Sequence, residues 1–351
     1  MDSNRYLEDD NVEDVIRLCG GTGSPYSQKM LAYFRYKRIK HRWIIMNSPE
    51  EAGTKHAKGP VLLPKVLFPD GSAMNDSTFI IQRFEELKPA RSVYPNSEVI
   101  NFICTILEDF SDEFLTKCMY HYRWVHDPTY AGRGIALMQG NPSISKERME
   151  FVGSSIERRQ VSRLAIVGSN DLTGPIIEEF YQGFIRKLDA HLASGYPFLL
   201  GSRPSSADFA VLGQLHPMIS LDPKTSTITR SLSNRVCSWY SLTTDLSGLS
   251  LKDQDKGWIT DIPPTLFQLL ADVGKYYVPL LIANQVAYKK GEKEFSFKID
   301  SGVTWTQPTF RYQSKCLDCL RETFESLTRK DDVLKALSGT GIEQLFTTSS
   351  L

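Results

Sequence analysis

Residues 14–36 read DVIRLCGGTGSPYSQKMLAYFRY, and this stretch decides the fold of the first part of the chain. The apolar run at 14–19 predicts a short buried strand, and the glycine-rich segment after it predicts a turn. Pro25 suits the first position of a helix and Ser24 before it is a favourable N-cap, so a helix is predicted over 25–36. A strand that leads through a turn into a helix is typical of an α/β domain.

The next fifty residues continue this alternation of strands and helices. The predicted elements are a strand over 41–46, a helix from Ser48, strands over 65–68 and 73–74, and a helix over 76–87. The order β-α-β-α-β-β-α suits a small sheet with helices on both faces. We therefore predict an α/β domain over residues 13–88, followed by a proline-containing linker over 88–97.

From residue 98 onward, helical periodicity dominates the sequence. We predict an all-α domain over residues 98–250 and a C-terminal extension over residues 251–351 that packs on it. The predicted helices of the all-α domain are 98–124, 145–166, 175–193, 205–216 and 234–243. The extension is predicted to hold a helix over 264–287, a hairpin over 294–305 and a helix over 312–327.

Composition narrows the class of partner and the compartment. Lys plus Arg and Asp plus Glu both number 41, so the formal charge is zero and no global attraction to nucleic acid or to an anionic membrane is expected. The N-terminus is polar and acidic, unlike a secretory signal, and no apolar run approaches the roughly 20 residues of a membrane helix. Six scattered cysteines fit a reducing compartment, which predicts a cytoplasmic protein.

Three local patterns resemble the glutathione transferase superfamily. Residues 23–27, GSPYS, are similar to the Cys-Pro-Tyr-Cys or Cys-Pro-Tyr-Ser site of glutaredoxins and cysteine-type transferases, with serine in the nucleophile position. Residues 62–77 resemble the family's Val-Pro before the third strand and its Glu/Asp-Ser at the third helix. Residues 205–209, SSADF, resemble the Ser/Thr-x-Ala-Asp box of the family's helical domain. The resemblance covers residues 14–248 and implies a thioredoxin-like domain followed by a helical domain.

The resemblance implies that Ser24 is the catalytic residue. Glutathione must react as its thiolate, and a free thiol has a pKa of about 8.5. A serine hydroxyl at a helix start can donate a hydrogen bond to the sulfur, and the helix dipole adds positive potential. In the family, serine at this position accompanies conjugation and cysteine accompanies thiol–disulfide exchange. The alternative is that Ser24 only caps its helix; Tyr26 and Ser27 are secondary candidates.

The resemblance also implies where glutathione binds. The Leu63–Pro64 bond is expected to be cis, so that the backbone of Leu63 pairs with the cysteinyl part of glutathione; an ordinary trans proline at a strand start is the alternative. Asp76 and Ser77 are expected to hold the γ-glutamyl ammonium and carboxylate groups, unless Asp76 only caps its helix. Lys65 is a candidate for the glycyl carboxylate.

Other lysines and a histidine of the same stretch are further candidates for the glycyl carboxylate, although solvated side chains are the simpler interpretation. They are Lys55, His56 and Lys58. The stretch 120–124 either lines the pocket of the second substrate or packs between domains. Ser205 and Asp208 resemble a capping box, which is a folding element and not part of a catalytic site.

No metal site is predicted from the cysteines. Cys316 and Cys319 lack a second cysteine pair or a nearby histidine pair, so they do not complete a zinc site. They lie within an apolar-periodic helix, which predicts buried structural thiols.

Three functions remain open at this point. The first is a transferase that conjugates the glutathione thiolate to a hydrophobic electrophile, with glutathione as co-substrate and homodimerisation as a family expectation. The second is a non-catalytic binding or scaffold protein, which the long extension favours. The third is a thiol–disulfide oxidoreductase, which requires a reactive cysteine near the helix start, where only Cys19 is close.

Overall fold

A computed structural model describes residues 15–46, 62–139, 143–251, 257–299 and 302–347. The predicted fold class is confirmed: a small mixed sheet with its helices is followed by a predominantly helical region and a C-terminal extension. The helix predicted from Ser48 lies outside the described residues, as do Lys55, His56 and Lys58.

The N-terminal region forms a four-stranded sheet in the order β2-β1-β3-β4. Its elements are β1 (Ile16–Gly20), α1 (Pro25–Lys37), β2 (His41–Ile45), β3 (Lys65–Leu67), β4 (Ala73–Asn75) and α2 (Ser77–Leu87). Strand β1 pairs in parallel with β2 and antiparallel with β3, which pairs antiparallel with β4. Phe34 of α1 meets Phe84 of α2 edge to face, with ring centroids 4.8 Å apart, so both helices share one core.

The helical region begins at residue 98. Its elements are α3 (Glu98–Phe110), a π-helical turn (Ser111–Leu115), α4 (Thr116–Val125), α5 (Pro128–Gln139), α6 (Lys146–Val161), a 3₁₀ turn (Leu164–Val167), α7 (Gly174–Ala193), α8 (Ser206–Ser220), α9 (Pro223–Leu232) and α10 (Asn234–Thr243). The single helix predicted over 98–124 is therefore divided by a π-helical turn. Helices α5 and α9 were not predicted.

Helix α8 fixes the position of the start of α1. The predicted capping box is present: Ser205 Oγ accepts from the Asp208 N–H, and Asp208 Oδ2 accepts from the Ser205 N–H at 2.8 Å. One turn further on, a Cβ added to Gly213 would lie 2.7 Å from the Pro25 carbonyl oxygen. Only glycine allows this approach, so the helical region packs directly on the first turn of α1.

The extension packs against the helical region. Its elements are α11 (Pro264–Asp272), a π-helical turn (Val273–Tyr277), α12 (Val278–Lys290), β5 (Glu294–Lys298), β6 (Thr304–Pro308), α13 (Arg311–Ser326), α14 (Lys330–Leu337) and α15 (Gln344–Thr347). The predicted hairpin is present as β5 and β6. Its Trp305 is buried, with the ring centroid 6.3 Å from that of Phe114 in the first π-helical turn.

One helix in the described part of the chain, Pro264–Lys290, is long and apolar enough to cross a membrane by length and composition. The core helix of a soluble protein meets the same criteria, and 50% of the relevant window is buried inside this protein.

Candidate functional site

The turn between β1 and α1 is fixed by close backbone packing. A Cβ added to Gly20 would lie 2.6 Å from the Trp43 ring and 2.7 Å from Ser27 Oγ, so this position requires glycine. Ser27 is fully buried, and its Oγ accepts from the Gly21 N–H at 3.2 Å. The buried hydroxyl group of Ser27 therefore stabilises the turn.

Ser24 is the N-cap of α1, and its side chain faces a cavity. Its Oγ accepts a long hydrogen bond from the Ser27 N–H, 3.4 Å away. Among the described residues, the Ser24 hydroxyl hydrogen has no acceptor. The hydroxyl therefore retains a donor at the positive end of a helix dipole, which is the arrangement that stabilises an anion.

Leu63 lies beside Ser24 across Gly21. The Leu63–Pro64 peptide bond is cis, as the family resemblance implied. A Cβ added to Gly21 would be 3.8 Å from Ser24 Cβ and 3.9 Å from Leu63 Cδ1, so the two predicted site residues flank one backbone position. Pro64 is buried behind Leu63.

Two cavities adjoin at Tyr26, Leu63 and Thr116, which line both. The first, called here the basic cavity, has a volume of about 460 Å³. Its wall includes Ser24, Met119, Tyr120, Arg123, Trp124, Met138 and Arg159. The second, called here the acidic cavity, has a volume of about 370 Å³. Its wall includes Asp76, Ser77, Asp112, Glu113, Lys117, Tyr312 and Gln313.

Asp76 lines the acidic cavity in an unusual backbone conformation. Its φ is +76°, a region that non-glycine residues seldom occupy and that is often found at ligand sites. Its carboxylate accepts from the Thr78 N–H through Oδ1 at 3.1 Å and from the Tyr312 hydroxyl through Oδ2 at 2.8 Å. Asp76 therefore both caps α2 and faces the cavity, so its helix-capping and ligand-binding interpretations are compatible. The buried Ser77 follows it in the same wall.

The π-helical turn at 111–115 brings two buried acids to the acidic cavity. Burial raises the pKa of Glu113 to about 8, and the neighbouring carboxylate of Asp109 adds to the rise. Burial likewise raises the pKa of Asp112 to about 7, against the opposing effect of Lys29. The one lysine in the described lining, Lys117, has a pKa lowered by burial to about 8. A cationic ligand group in this cavity would lower the raised pKa values of both acids.

Two buried acceptors in this wall are unsatisfied. Asp112 Oδ1 and Gln313 Oε1 have no hydrogen-bond partner within the described part of the chain. A buried acceptor without a partner costs free energy, on the order of 1–3 kcal/mol.

An ion-pair network includes Asp112 of the acidic cavity wall. Lys29 Nζ is 2.7 Å from Glu108 Oε1 and 2.6 Å from Asp112 Oδ2. Burial alone would lower the pKa of Lys29, but the two carboxylates outweigh it and the pKa is raised. Thr78 donates to Glu108 at 3.1 Å, so α1, α2 and α3 are joined here. The sequence analysis missed this network; a lysine beside the apolar residues of α1 was the available signal.

Helix α4 contributes Thr116, Met119, Tyr120, Arg123 and Trp124 to the wall of the basic cavity. Tyr120 and Trp124 line it, so the aromatic stretch at 120–124 contributes to a pocket. Arg123 is buried and is paired with Asp222, with Nε 2.9 Å from Oδ2 and Nη1 donating to the Gly23 carbonyl at 3.0 Å. Arg159 of α6 is exposed at the rim. Among the described residues no carboxylate pairs with Arg159, so this side chain supplies the unpaired positive charge at the rim of the cavity.

Tyr26 and Lys65 differ in where they are placed. Tyr26 lines both cavities, and its hydroxyl donates to the Asp112 carbonyl at 2.7 Å. Lys65 is buried in β3, 2% exposed, and is not among the lining residues of either cavity. The structure thus brings Ser24, Leu63, Asp76, Ser77 and Tyr26 together around two adjoining cavities, whereas Pro64, Lys65 and Ser27 lie in the layer behind them.

The cysteines offer no activated thiol at the helix start. Cys19 is fully buried in β1. The prediction that both thiols of α13 are buried is wrong for Cys319, which is exposed, because the buried stripe of that amphipathic helix is formed by Leu317 and Leu320. Burial raises the pKa of Cys319, and that of the half-buried Cys316 is raised as well.

Residues 18–92 match the family model of the glutathione S-transferase N-terminal domain. No curated protein matches the sequence. Similar solved structures include the β-etherase LigF from Sphingobium sp. strain SYK-6, at 16% identity over 65% of this chain and 93% of that one, with a TM-score of 0.47. A glutathione S-transferase from Rhodospirillum rubrum F11 is 15% identical over 72% of this chain and 99% of its own, with a TM-score of 0.41. At these values neither neighbour carries a conclusion about activity.

Proposed function

We propose that the chain belongs to the glutathione transferase superfamily, because residues 18–92 match the family model of the glutathione S-transferase N-terminal domain. We further propose that it conjugates the glutathione thiolate to an electrophilic small molecule. The cysteinyl part of glutathione would lie against Leu63 at the junction of the cavities. Its γ-glutamyl end would enter the acidic cavity, and its sulfur would face Ser24. Cytoplasmic localisation and homodimerisation stay predictions.

The observation that carries this proposal is the position of Ser24. Its hydroxyl caps α1, retains a donor among the described residues, and lines a cavity of about 460 Å³ next to the cavity that holds Asp76 and Ser77. A hydroxyl donor and a helix start aimed at one point stabilise a thiolate in the ground state and a partial negative charge in the transition state. The thiolate, not the thiol, then attacks the electrophile.

The basic cavity suits an apolar second substrate. Methionine, isoleucine, tyrosine and tryptophan residues supply eight of its seventeen lining residues, and apolar surface buried there favours binding by about 25 cal/mol per Å². Tyr120 is held in place by its hydroxyl, which donates to the Gln160 carbonyl at 2.9 Å. We therefore take a hydrophobic, aromatic electrophile as the substrate class.

Conjugation of reduced glutathione to chlorodinitrobenzene tests the proposal. The wild-type protein should show saturable activity in both substrates. Ser24→Ala should lower kcat/KM about 100-fold, the usual scale for loss of one donor at a developing charge. Because Ser24 also caps α1, Ser24→Thr is the conservative rescue: it retains both cap and hydroxyl and should recover part of the rate.

Ser145→Ala is the matched control for capping. Ser145 is the N-cap of α6, and its Oγ accepts from the Arg148 N–H at 3.2 Å, outside both cavities. Both alanine variants lose one serine cap, so both should lose about 1 kcal/mol of stability. Only Ser24→Ala should lose activity. Full activity of Ser24→Ala would remove Ser24 from the catalytic role.

A specific contact favours a second candidate function, a non-catalytic binding protein. The Tyr312 hydroxyl from the extension donates to Asp76 Oδ2, which is an acceptor that the ligand ammonium would use. If the extension closes the acidic cavity, glutathione does not bind. Calorimetry at millimolar glutathione distinguishes the two: saturable heat supports the transferase, and no heat supports the non-catalytic protein.

A further inference from the structure

Two histidines and a glutamate converge outside both cavities, at the end of α4. His121 lies within α4 and His126 directly follows that helix, while Glu178 lies in α7. Glu178 Oε1 is 2.7 Å from His126 Nε2 and 3.3 Å from His121 Nε2. One nitrogen of each imidazole and one carboxylate oxygen all lie within 4.8 Å of one another. Three potential metal ligands therefore point at one place.

The second ring nitrogen of His121, Nδ1, is hydrogen-bonded to a separate partner. His121 Nδ1 is 2.7 Å from the hydroxyl oxygen of Ser169, which is buried. When Nδ1 donates its hydrogen to Ser169, the lone pair of Nε2 points toward Glu178 and is free for a metal. Metal-binding histidines commonly have their other nitrogen fixed in this way, which sets the tautomer and the ring orientation.

The electrostatic environment also suits a cation. The site lies at the C-terminal end of α4, where the helix dipole places partial negative charge.

We propose that His121, His126 and Glu178 form a binding site for a divalent transition metal, with Zn²⁺ as the best match. Two imidazole nitrogens and one carboxylate oxygen leave a fourth position open on a tetrahedral ion. Such an ion needs ligand atoms about 3.3 Å apart. The half-exposed His126, beyond the end of α4, can move to close the remaining distance.

The site would connect α4 to α7. Helix α4 also carries Tyr120, Arg123 and Trp124, which line the basic cavity. Metal bound at the end of α4 would therefore fix the wall of the second-substrate pocket without contacting the ligand. Sequence spacing did not reveal the site, because His126 and Glu178 are 52 residues apart.

Zinc titration of the tag-free, chelator-treated full-length chain tests the proposal by calorimetry. We expect one Zn²⁺ per chain with micromolar affinity. His126→Gln and Glu178→Gln should each weaken binding at least about tenfold, since each removes one of three ligands. Both positions are partly exposed, so both variants should fold; circular dichroism checks this. Co²⁺ in place of Zn²⁺ should give a visible spectrum that the same variants lose.

Glu179→Gln is the matched control, because Glu179 is the next residue of α7, is exposed and makes the same change of charge. It should bind Zn²⁺ as tightly as the wild type. Cys319→Ser tests a competing thiol site. The proposal is overturned if the wild type does not bind Zn²⁺ at about 100 μM, if Glu178→Gln binds like Glu179→Gln, or if only Cys319→Ser loses the metal.

Discussion

The acidic and basic cavities share Tyr26, Leu63 and Thr116, but most of the ionisable groups in one wall are acids and those in the other are bases. Asp76, Asp112 and Glu113 line one, and arginines line the other, with no carboxylate among its described lining residues. A ligand that spans the junction with a cationic end and an anionic sulfur has one favourable orientation. This difference shows how a tripeptide can be oriented by a site that carries little net charge.

The ionisable side chains of the two cavities also belong to different kinds of structural element. In the acidic cavity, they come from the start of α2 and from the π-helical turn, which are fixed parts of the core. In the basic cavity, Arg123 is already paired with Asp222, so the effective charge comes from one arginine at the rim. The acidic groups thus belong to fixed elements of the core, whereas the basic cavity depends on one exposed side chain. We expect glutathione recognition to be more sensitive to substitution than recognition of the electrophile.

The largest effect is expected for Asp76→Asn. Asparagine caps a helix as well as aspartate does, so α2 should remain intact while the negative charge is lost. Loss of a charge-assisted hydrogen bond to the ligand ammonium should weaken glutathione binding about 10- to 100-fold. Titration calorimetry measures the change. Asp70→Asn, in an exposed turn, is the control and should bind normally. Equal affinity in Asp76→Asn would show that the acidic cavity does not hold the ammonium.

A smaller effect is expected for Arg159→Met, which sharpens the comparison on the basic side. Chlorodinitrobenzoate and chlorodinitrobenzene differ by one carboxylate, so the ratio of their kcat/KM values reports the charge of the cavity. The exposed guanidinium should favour the benzoate about five- to tenfold, and methionine should abolish this preference. Arg133→Met, in α5, is the control. An unchanged ratio would place Arg159 outside the substrate contact.

Proton release should accompany glutathione binding. The pKa of Glu113 is raised by burial to about 8, so this group is largely protonated at pH 7. An ammonium group in the acidic cavity lowers that pKa and expels up to about one proton. Calorimetry in buffers of different ionisation enthalpy measures it, and affinity should rise severalfold between pH 6 and 8. Glu113→Gln should reduce both effects and leave only the proton released by the glutathione thiol itself; proton release equal to that of the wild type would contradict the assignment.

The smallest predicted effect is the change in melting temperature caused by Glu113→Gln. The raised pKa of Glu113 means that the folded chain retains a proton that the unfolded chain releases above about pH 4. The unfolded state then binds fewer protons, so this group makes stability fall as pH rises from 5 to 7.5. Glutamine removes that contribution. We expect Glu113→Gln to raise Tm by about 2 °C at pH 7.5 and less at pH 5. An equal shift at both pH values would contradict the assignment.

Local signals in the sequence predicted the fold well. The Ser24–Pro25 start of α1 and the Ser205–Asp208 capping box depend on neighbours a few residues apart, and both are present. Elements with weak local signals were missed: α9, rich in threonine and serine, is an example. The sequence also could not predict the burial of Lys65, because the pattern of a three-residue strand does not indicate which of its side chains reach the surface.

The site was only half predictable for the same reason. Asp112 and Glu113 reach the acidic cavity because a π-helical turn shifts the helix register, and no residue pattern indicated it. Tyr312 contacts Asp76 across 236 residues of sequence. Its helix is anchored by Asn284, which donates to the Phe310 carbonyl at 2.9 Å and accepts from the Phe310 N–H at 2.8 Å. Only the folded chain brings these residues together.

The most direct measurement is the pKa of the glutathione thiol in the complex, obtained from the ultraviolet absorption of the thiolate as pH is varied. We predict that binding to the wild-type protein lowers this pKa well below its ordinary value of about 8.5, and that Ser24→Ala returns it toward that value while glutathione still binds. A thiol pKa that binding leaves unchanged, or that Ser24→Ala leaves equally low, would contradict the account.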